Sequence, residues 1–165
     1  MPWTFNPFTG TLDYYEITKA QWGLITGTLS NQTDLQTALD LKAPLASPTS
    51  LTFIIDGAGS AITTGQKGHL EVPFACTIKQ VTMLADQTGS IVVDIWKDTY
   101  ANFPPTDADS ITASAPPTIS SAQKSQDSTL TGWTKSISAG DILAFNVDSC
   151  TTITRVTISL KVERT

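Results

Sequence analysis

Histidine occurs once in 165 residues, as His69, and charged residues make up only 15% of the chain. A typical soluble domain carries about 25%. A histidine base needs an adjacent nucleophile and an orienting group, and nothing around His69 supplies both. An enzyme is therefore not expected. Ten Lys and Arg against fifteen Asp and Glu leave a net charge of −5, a poor match for nucleic acid or an anionic membrane surface. No run approaches the roughly 18–20 apolar residues that span a bilayer, so membrane insertion is not expected. The opening Met1-Pro2-Trp3-Thr4-Phe5-Asn6 has neither the basic nor the apolar region of a secretory signal peptide. Two cysteines, Cys76 and Cys150, are too few for a disulfide scaffold and sit in no metal-ligand spacing. Buried reduced thiols are the expectation for them; spacing gives no support to an intramolecular bridge. Nor is a cofactor or metal expected. Gly57-Ala58-Gly59-Ser60-Ala61-Ile62 begins like a dinucleotide fingerprint, but Ile62 stands where the third glycine belongs and no helical period follows. A glycine turn between strands explains it better.

What the chain has in quantity is Thr and Ser, 27 and 15 residues. β-Branched Thr suits a pleated surface, so a β-protein is expected. Residues 1–24 are irregular in pattern and hold six of the thirteen aromatics: Trp3, Phe5, Phe8, Tyr14, Tyr15 and Trp22. Asn6-Pro7-Phe8-Thr9-Gly10 is turn chemistry. So short a segment cannot bury these side chains alone; they pack on the rest of the protein, on a symmetry mate or on a partner, and contiguous exposed aromatics usually mark an interaction surface. Residues 25–43 predict one short helix with a lead-in. Ser30 is the N-cap, Asp34 lies in the first turn, Leu35, Ala38, Leu39 and Lys42 follow at helical spacing, and Pro44 ends it. About twelve residues are marginal alone. The stripe needs a partner face, either the chain's own β-domain or further copies meeting coiled-coil fashion. A stiff spacer, Ala43 to Ser50 with Pro44 and Pro48, follows.

From residue 51 the apolar period is two. Strands are predicted at Leu51–Asp56, Gly68–Val72, Thr77–Ala85, Ser90–Lys97, Asp141–Asp148 and Ile153–Val162, with another near Lys124–Leu130. His69 and Glu71 point outward. Asp86-Gln87-Thr88-Gly89 is the expected hairpin connection between the third and fourth. About seven strands without intervening helices argue for an antiparallel sandwich or jelly roll. The 98–122 stretch, with Pro104, Pro105, Pro116 and Pro117, interrupts them, and loops of that length are usually functional or disordered. Trp96, Tyr100, Phe103 and Trp133 are candidates for an aromatic platform, although core packing is as natural for Trp96. Asp107 and Asp109 could contribute to a cation site, but solvated carboxylates are the ordinary case.

The segment Trp22-Gly23-Leu24-Ile25-Thr26-Gly27-Thr28-Leu29-Ser30-Asn31-Gln32-Thr33-Asp34-Leu35-Gln36-Thr37-Ala38-Leu39 resembles W-G-x-I-T-G-T-L-S-x-Q-T-D-L-Q-x-A-L of tailed-bacteriophage fibres and other virion appendages. Phe5-Asn6-Pro7-Phe8-Thr9-Gly10-Thr11-Leu12-Asp13-Tyr14 resembles the opening F-N-P-F-T-G-x-L-D-[YF] of short phage structural proteins. The run from Gly89 to Thr106, with Ala139-Gly140-Asp141 and Phe145-Asn146-Val147-Asp148, is similar to a β-domain at the C-termini of phage fibre-like proteins. The resemblance implies a homotrimer about a three-fold axis, with Leu29, Leu35 and Leu39 at the interface. It implies a virion anchor at 1–24 using Trp3, Phe5, Phe8 and Tyr14, a trimerising stalk and linker at 25–47, and a β-sandwich head at 48–165. The implied place is the virion, assembled in the host cytoplasm. Implied partners are other phage structural proteins of capsid, tail or adaptor, and a host-surface glycan or protein. Tyr100, Phe103, Asp107 and Asp109 are the candidate receptor contacts. The alternative is a capsid or tail decoration protein with no receptor-binding role. A depolymerase of the tailspike kind does not fit, because it needs a long β-helix and paired carboxylates in a cleft.

Overall fold

The computed structural model describes residues 3–6, 8, 10–14 and 48–165. The helix expected over 25–43, with Leu29, Leu35 and Leu39, lies outside the described residues, as do the side chains of Trp3, Phe5 and Tyr14. The chain divides into two units, Met1–Ala43 and Pro44–Thr165.

In the first unit the expected irregular segment is instead a two-stranded antiparallel hairpin. Strand β1 (Trp3–Asn6) pairs with β2 (Thr11–Tyr14), with Trp3 registered on Tyr14 and Phe5 on Leu12. The turn expected between them is present, and Gly10 adopts a φ of 66°. Phe8, at the turn, is 97% exposed.

The second unit is mainly β, a curled antiparallel sheet of seven strands. They are β3 (Pro48–Asp56), β4 (Gly65–Val72), β5 (Cys76–Asp98), β6 (Thr118–Asp127), β7 (Ser136–Ile137), β8 (Asp141–Thr151) and β9 (Arg155–Arg164). The order is β3-β9-β5-β8-β4, with β6 and β7 also paired to β5. The spacer expected up to Ser50 is thus already strand from Pro48, and the strand expected near Lys124–Leu130 runs instead over Thr118–Asp127.

The organising element is β5, 23 residues long. Its first half pairs with β9 and its second half with β8. The expected hairpin at Asp86–Gly89 is therefore wrong: the chain runs on through a bend. Both turn-forming residues are used elsewhere. The Asp86 carboxylate accepts bonds from Thr154 N–H (3.2 Å), Arg155 N–H (3.0 Å) and the Thr154 hydroxyl, and so holds the connection between β8 and β9. A Cβ on Gly89 would fall 2.4 Å from Thr152 Oγ1 and 2.5 Å from the Thr151 carbonyl. Glycine is needed there for close approach to that connection, not for a reversal of the chain.

Because β5 serves both halves, the curl brings the two ends of the sheet together. Phe53 of β3 stacks on Phe145 of β8, rings 4.2 Å apart and 4° from parallel. Gly68 of β4 admits the Phe53 ring, which a Cβ would meet at 2.9 Å. The core fills the space between, from alternating residues. β9 supplies Val156, Ile158, Leu160 and Val162, as its pattern predicts, β8 supplies Leu143, Phe145 and Val147, and β5 supplies Ile91, Val93 and Ile95. Each fully buried side chain of this size contributes about 1.5–3 kcal/mol. Cys76 is buried and Cys150 half-buried, both as free thiols, and burial pushes both above the ordinary thiol range. Among the described residues no helix is long and apolar enough to cross a membrane.

Candidate functional site

The register fixes which side chains share the outward face of β4, β8 and β5. Across the three strands His69 lies level with Ala144 and Trp96, and Glu71 with Ile142 and Asp98. Ile142 and Ala144 are nonetheless buried, at 7% and 0% exposure, and stand outside the core cluster. The 99–117 segment covers them. It leaves β5 at Asp98, turns through a 3-10 helix at Tyr100–Asn102, and crosses to β4. There the Phe103 ring meets His69 edge-on at 4.7 Å, and Gln66 Nε2 donates to the Pro105 carbonyl (3.3 Å). It returns through a second 3-10 turn, Asp107–Asp109, to lie beside β5, where Ile111 N–H bonds the Ile95 carbonyl (2.9 Å).

A buried carboxylate anchors the return. Asp94, 8% exposed, accepts bonds from Ile95 N–H (2.7 Å), Trp96 Nε1–H (2.8 Å), Ser110 Oγ (2.9 Å) and the Thr112 hydroxyl. All four neighbours donate, and the two carboxylate oxygens are their common acceptors. Trp133 ties the far end of the segment, donating from Nε1 to the Ala115 carbonyl (2.9 Å). The long loop is therefore an ordered platform fixed at both ends.

Of the candidate receptor contacts, Tyr100 and Phe103 are exposed, at 81% and 51%, on one short turn. His69 joins them, a contact the sequence did not reveal. Asp107 is exposed. One oxygen of Asp109 is engaged: Oδ2 accepts bonds from the Thr106 N–H and hydroxyl, both 2.8 Å, and so closes the turn. Trp133 is buried in the core, so it does not join an exposed platform, and Trp96 is only half-buried, with its Nε1–H on Asp94. Among the described residues no group of three or more His, Cys, Asp or Glu could hold a metal ion. What the arrangement offers chemically is an exposed aromatic turn with Asn102 and Asp98 at its root, suited to stacking and hydrogen bonding.

At the root of the turn, Asp98 accepts from Thr99 N–H (2.7 Å) and Asn102 Nδ2 (3.1 Å), and these bonds hold its carboxyl below the usual carboxylate range. Asp86 is lowered by the Thr154 hydroxyl and the Arg155 N–H, and Asp56 by the Ala58 N–H and the Arg155 guanidinium. A carboxylate lowered on folding adds stability above its unfolded value and loses it as pH falls through the folded value. The contribution of these three carboxylates should therefore be fully present well above the ordinary value of 3.8 and decline as pH falls below it. Urea midpoints measured across that range check this, and Asp86→Asn should shrink the decline.

No family model matches the chain, and no curated protein does. Two solved structures align: the Aeromonas sobria serine protease in complex with its chaperone ORF2, and the serine protease of Aeromonas sobria. The TM-scores are 0.33 and 0.32, each at 12% identity, covering 80% of this chain and 30% of that chain. This chain thus spans under a third of those chains, and a likeness so slight carries no argument about what it does.

Proposed function

We propose that the chain is a virion structural protein of a tailed bacteriophage, a homotrimeric fibre-like appendage without enzymatic activity. Residues 1–24 attach it to other phage structural proteins, 25–47 trimerise it, and 48–165 form a β-sandwich of the jelly-roll kind displayed for host-surface contact. The sequence resemblance in 5–14 and 22–39 supports the appendage. The sandwich is supported by β5, which serves two half-sheets, and by Phe53 meeting Phe145 across them.

The observation that carries host contact is the pair Tyr100 and Phe103, exposed on a loop pinned by Asp94. Exposed aromatics are normally disfavoured, and rigid aromatic anchors are the residues that dominate recognition surfaces. Because the loop is ordered beforehand, binding loses little conformational entropy. Adsorption of labelled particles to host cells tests it. Tyr100→Ala with Phe103→Ala should lower adsorption about tenfold or more, the loss of one good anchor. The melting temperature should fall only slightly, by the loss of the half-exposed Phe103 ring from its contact with His69. Unchanged adsorption with an intact fold would leave the decoration role in its place.

A further inference from the structure

Pro116, Pro117 and Trp133 stand out in the sequence, and the host-contact turn uses none of them. They meet instead beside β6. That strand follows β5 through its bend: residues 124–127 pair with 81–84, and 118–122 with 89–92. The two ends of β6 therefore stand on different half-sheets. A cavity of about 240 Å³ is lined from both ends, by Val81, Pro116 and Trp133 on its apolar part and by Thr118, Ser125 and Asp127 on its polar part. It takes in the last residues of the 99–117 loop, whereas Tyr100 and Phe103 stand near its start.

The apolar part is fixed in place. Val81 and Trp133 belong to the core, at 3% and 7% exposure. The Trp133 indole N–H donates to the Ala115 carbonyl (2.9 Å), and the Pro117 carbonyl accepts from Val93 N–H (3.0 Å). The polar part keeps bonding capacity to spare. Thr118 Oγ1 donates to the Pro116 carbonyl (2.9 Å) and retains its lone pairs. The Asp127 oxygens hold the Thr129 N–H (2.8 Å) and Leu130 N–H (3.2 Å), and each can accept once more. Ser125 is half-buried, and its hydroxyl has no partner among the described residues, so it can donate or accept.

These linings restrict the ligand. No Lys, Arg or His borders the cavity, so an anion would find no counter-charge. One carboxylate is too few for a metal ion. The volume lies below the roughly 300 Å³ at which pockets for drug-sized ligands begin, which leaves room for a single ring. A pyranose has an apolar carbon face and a rim of hydroxyls, and so matches both parts at once.

We propose that this cavity binds one neutral sugar ring, with its carbon face on Pro116 and Trp133 and its hydroxyls on Thr118, Ser125 and Asp127. The site is separate from the host-contact turn and stands or falls without it. Since the walls are held beforehand, little is lost in ordering them.

NMR titration of the isotope-labelled full-length chain tests it, with glucose, galactose, rhamnose and N-acetylglucosamine as probes and cyclohexanol as a ring without the hydroxyl rim. At least one sugar should shift the Trp133 indole N–H and the Ser125 and Thr118 amides along a saturating curve, in the millimolar range expected of so small a ligand. Ser125→Ala should weaken that sugar about two- to tenfold, the loss of one hydrogen bond, with the melting temperature unchanged. Cyclohexanol should bind more weakly and be indifferent to Ser125→Ala. No saturating shift with any sugar overturns the proposal. So does cyclohexanol binding as tightly as the sugars, which would make the cavity merely apolar. Shifts confined to Tyr100 and Phe103 overturn this site and favour the turn.

Discussion

Replacing Asp94 by alanine should destabilise the β-unit by about 3–4 kcal/mol and release the 99–117 loop. Bonds to a charged acceptor contribute about 1.5–3 kcal/mol each, and removing the acceptor leaves its donors to find water or remain unpaired. Four donors converge on this carboxylate, and two of them, Ser110 and Thr112, belong to the loop. Asp94→Asn should recover little, since its amide N–H₂ faces groups that already donate. Urea unfolding gives the energy, and limited proteolysis should show new cuts between residues 99 and 117. A loss below about 1 kcal/mol would mean that the hub does not hold the loop.

Leu35→Ser together with Leu39→Ser should weaken the proposed trimer. Each buried Leu contributes about 1.5–3 kcal/mol, and a three-fold axis multiplies every loss by the number of chains. Sedimentation at micromolar concentration should give a trimer for the unmodified chain and a monomer for the variant, with strand circular dichroism unchanged. A trimer that survives both substitutions would place the assembly contact away from the stalk.

The strands were legible where one face alone is buried. β9 alternates Val156, Ile158, Leu160 and Val162 with polar residues, and no other element disturbs that period. β8 was half legible. Leu143, Phe145 and Val147 were placed on the core face, but Ile142 and Ala144 are buried by a loop whose path no local pattern announces. β6 was displaced because Thr118–Asp127 is polar throughout, and its strand form comes from pairing with β5. The error at Asp86–Gly89 is the most instructive. Asp-x-x-Gly is a turn signal when only neighbours count, yet Asp86 bonds Thr154, 68 residues away, and Gly89 packs on Thr151 and Thr152. A tertiary contact overrode local preference.

The site follows the same division. Proline and aromatic residues between 98 and 122 drew attention to Tyr100 and Phe103, and both are exposed. Their support was not legible. Asp94 looks like an ordinary strand residue in Val93-Asp94-Ile95, although a carboxylate between buried β-branched neighbours is a signal for a polar hub. His69 was placed outward correctly, but its meeting with Phe103 depends on the loop crossing β8. Asp109 is among the candidate receptor contacts, and one of its two oxygens is engaged by Thr106, a local bond that the sequence does not announce.

The location of this chain in the intact particle tests the account most directly. Antibody raised to the 48–165 unit, applied to purified virions and viewed by electron microscopy, should mark projecting appendages, with a copy number per particle divisible by three. Deletion of residues 1–20 should remove the label. Absence of the chain from the purified virion would contradict the account outright.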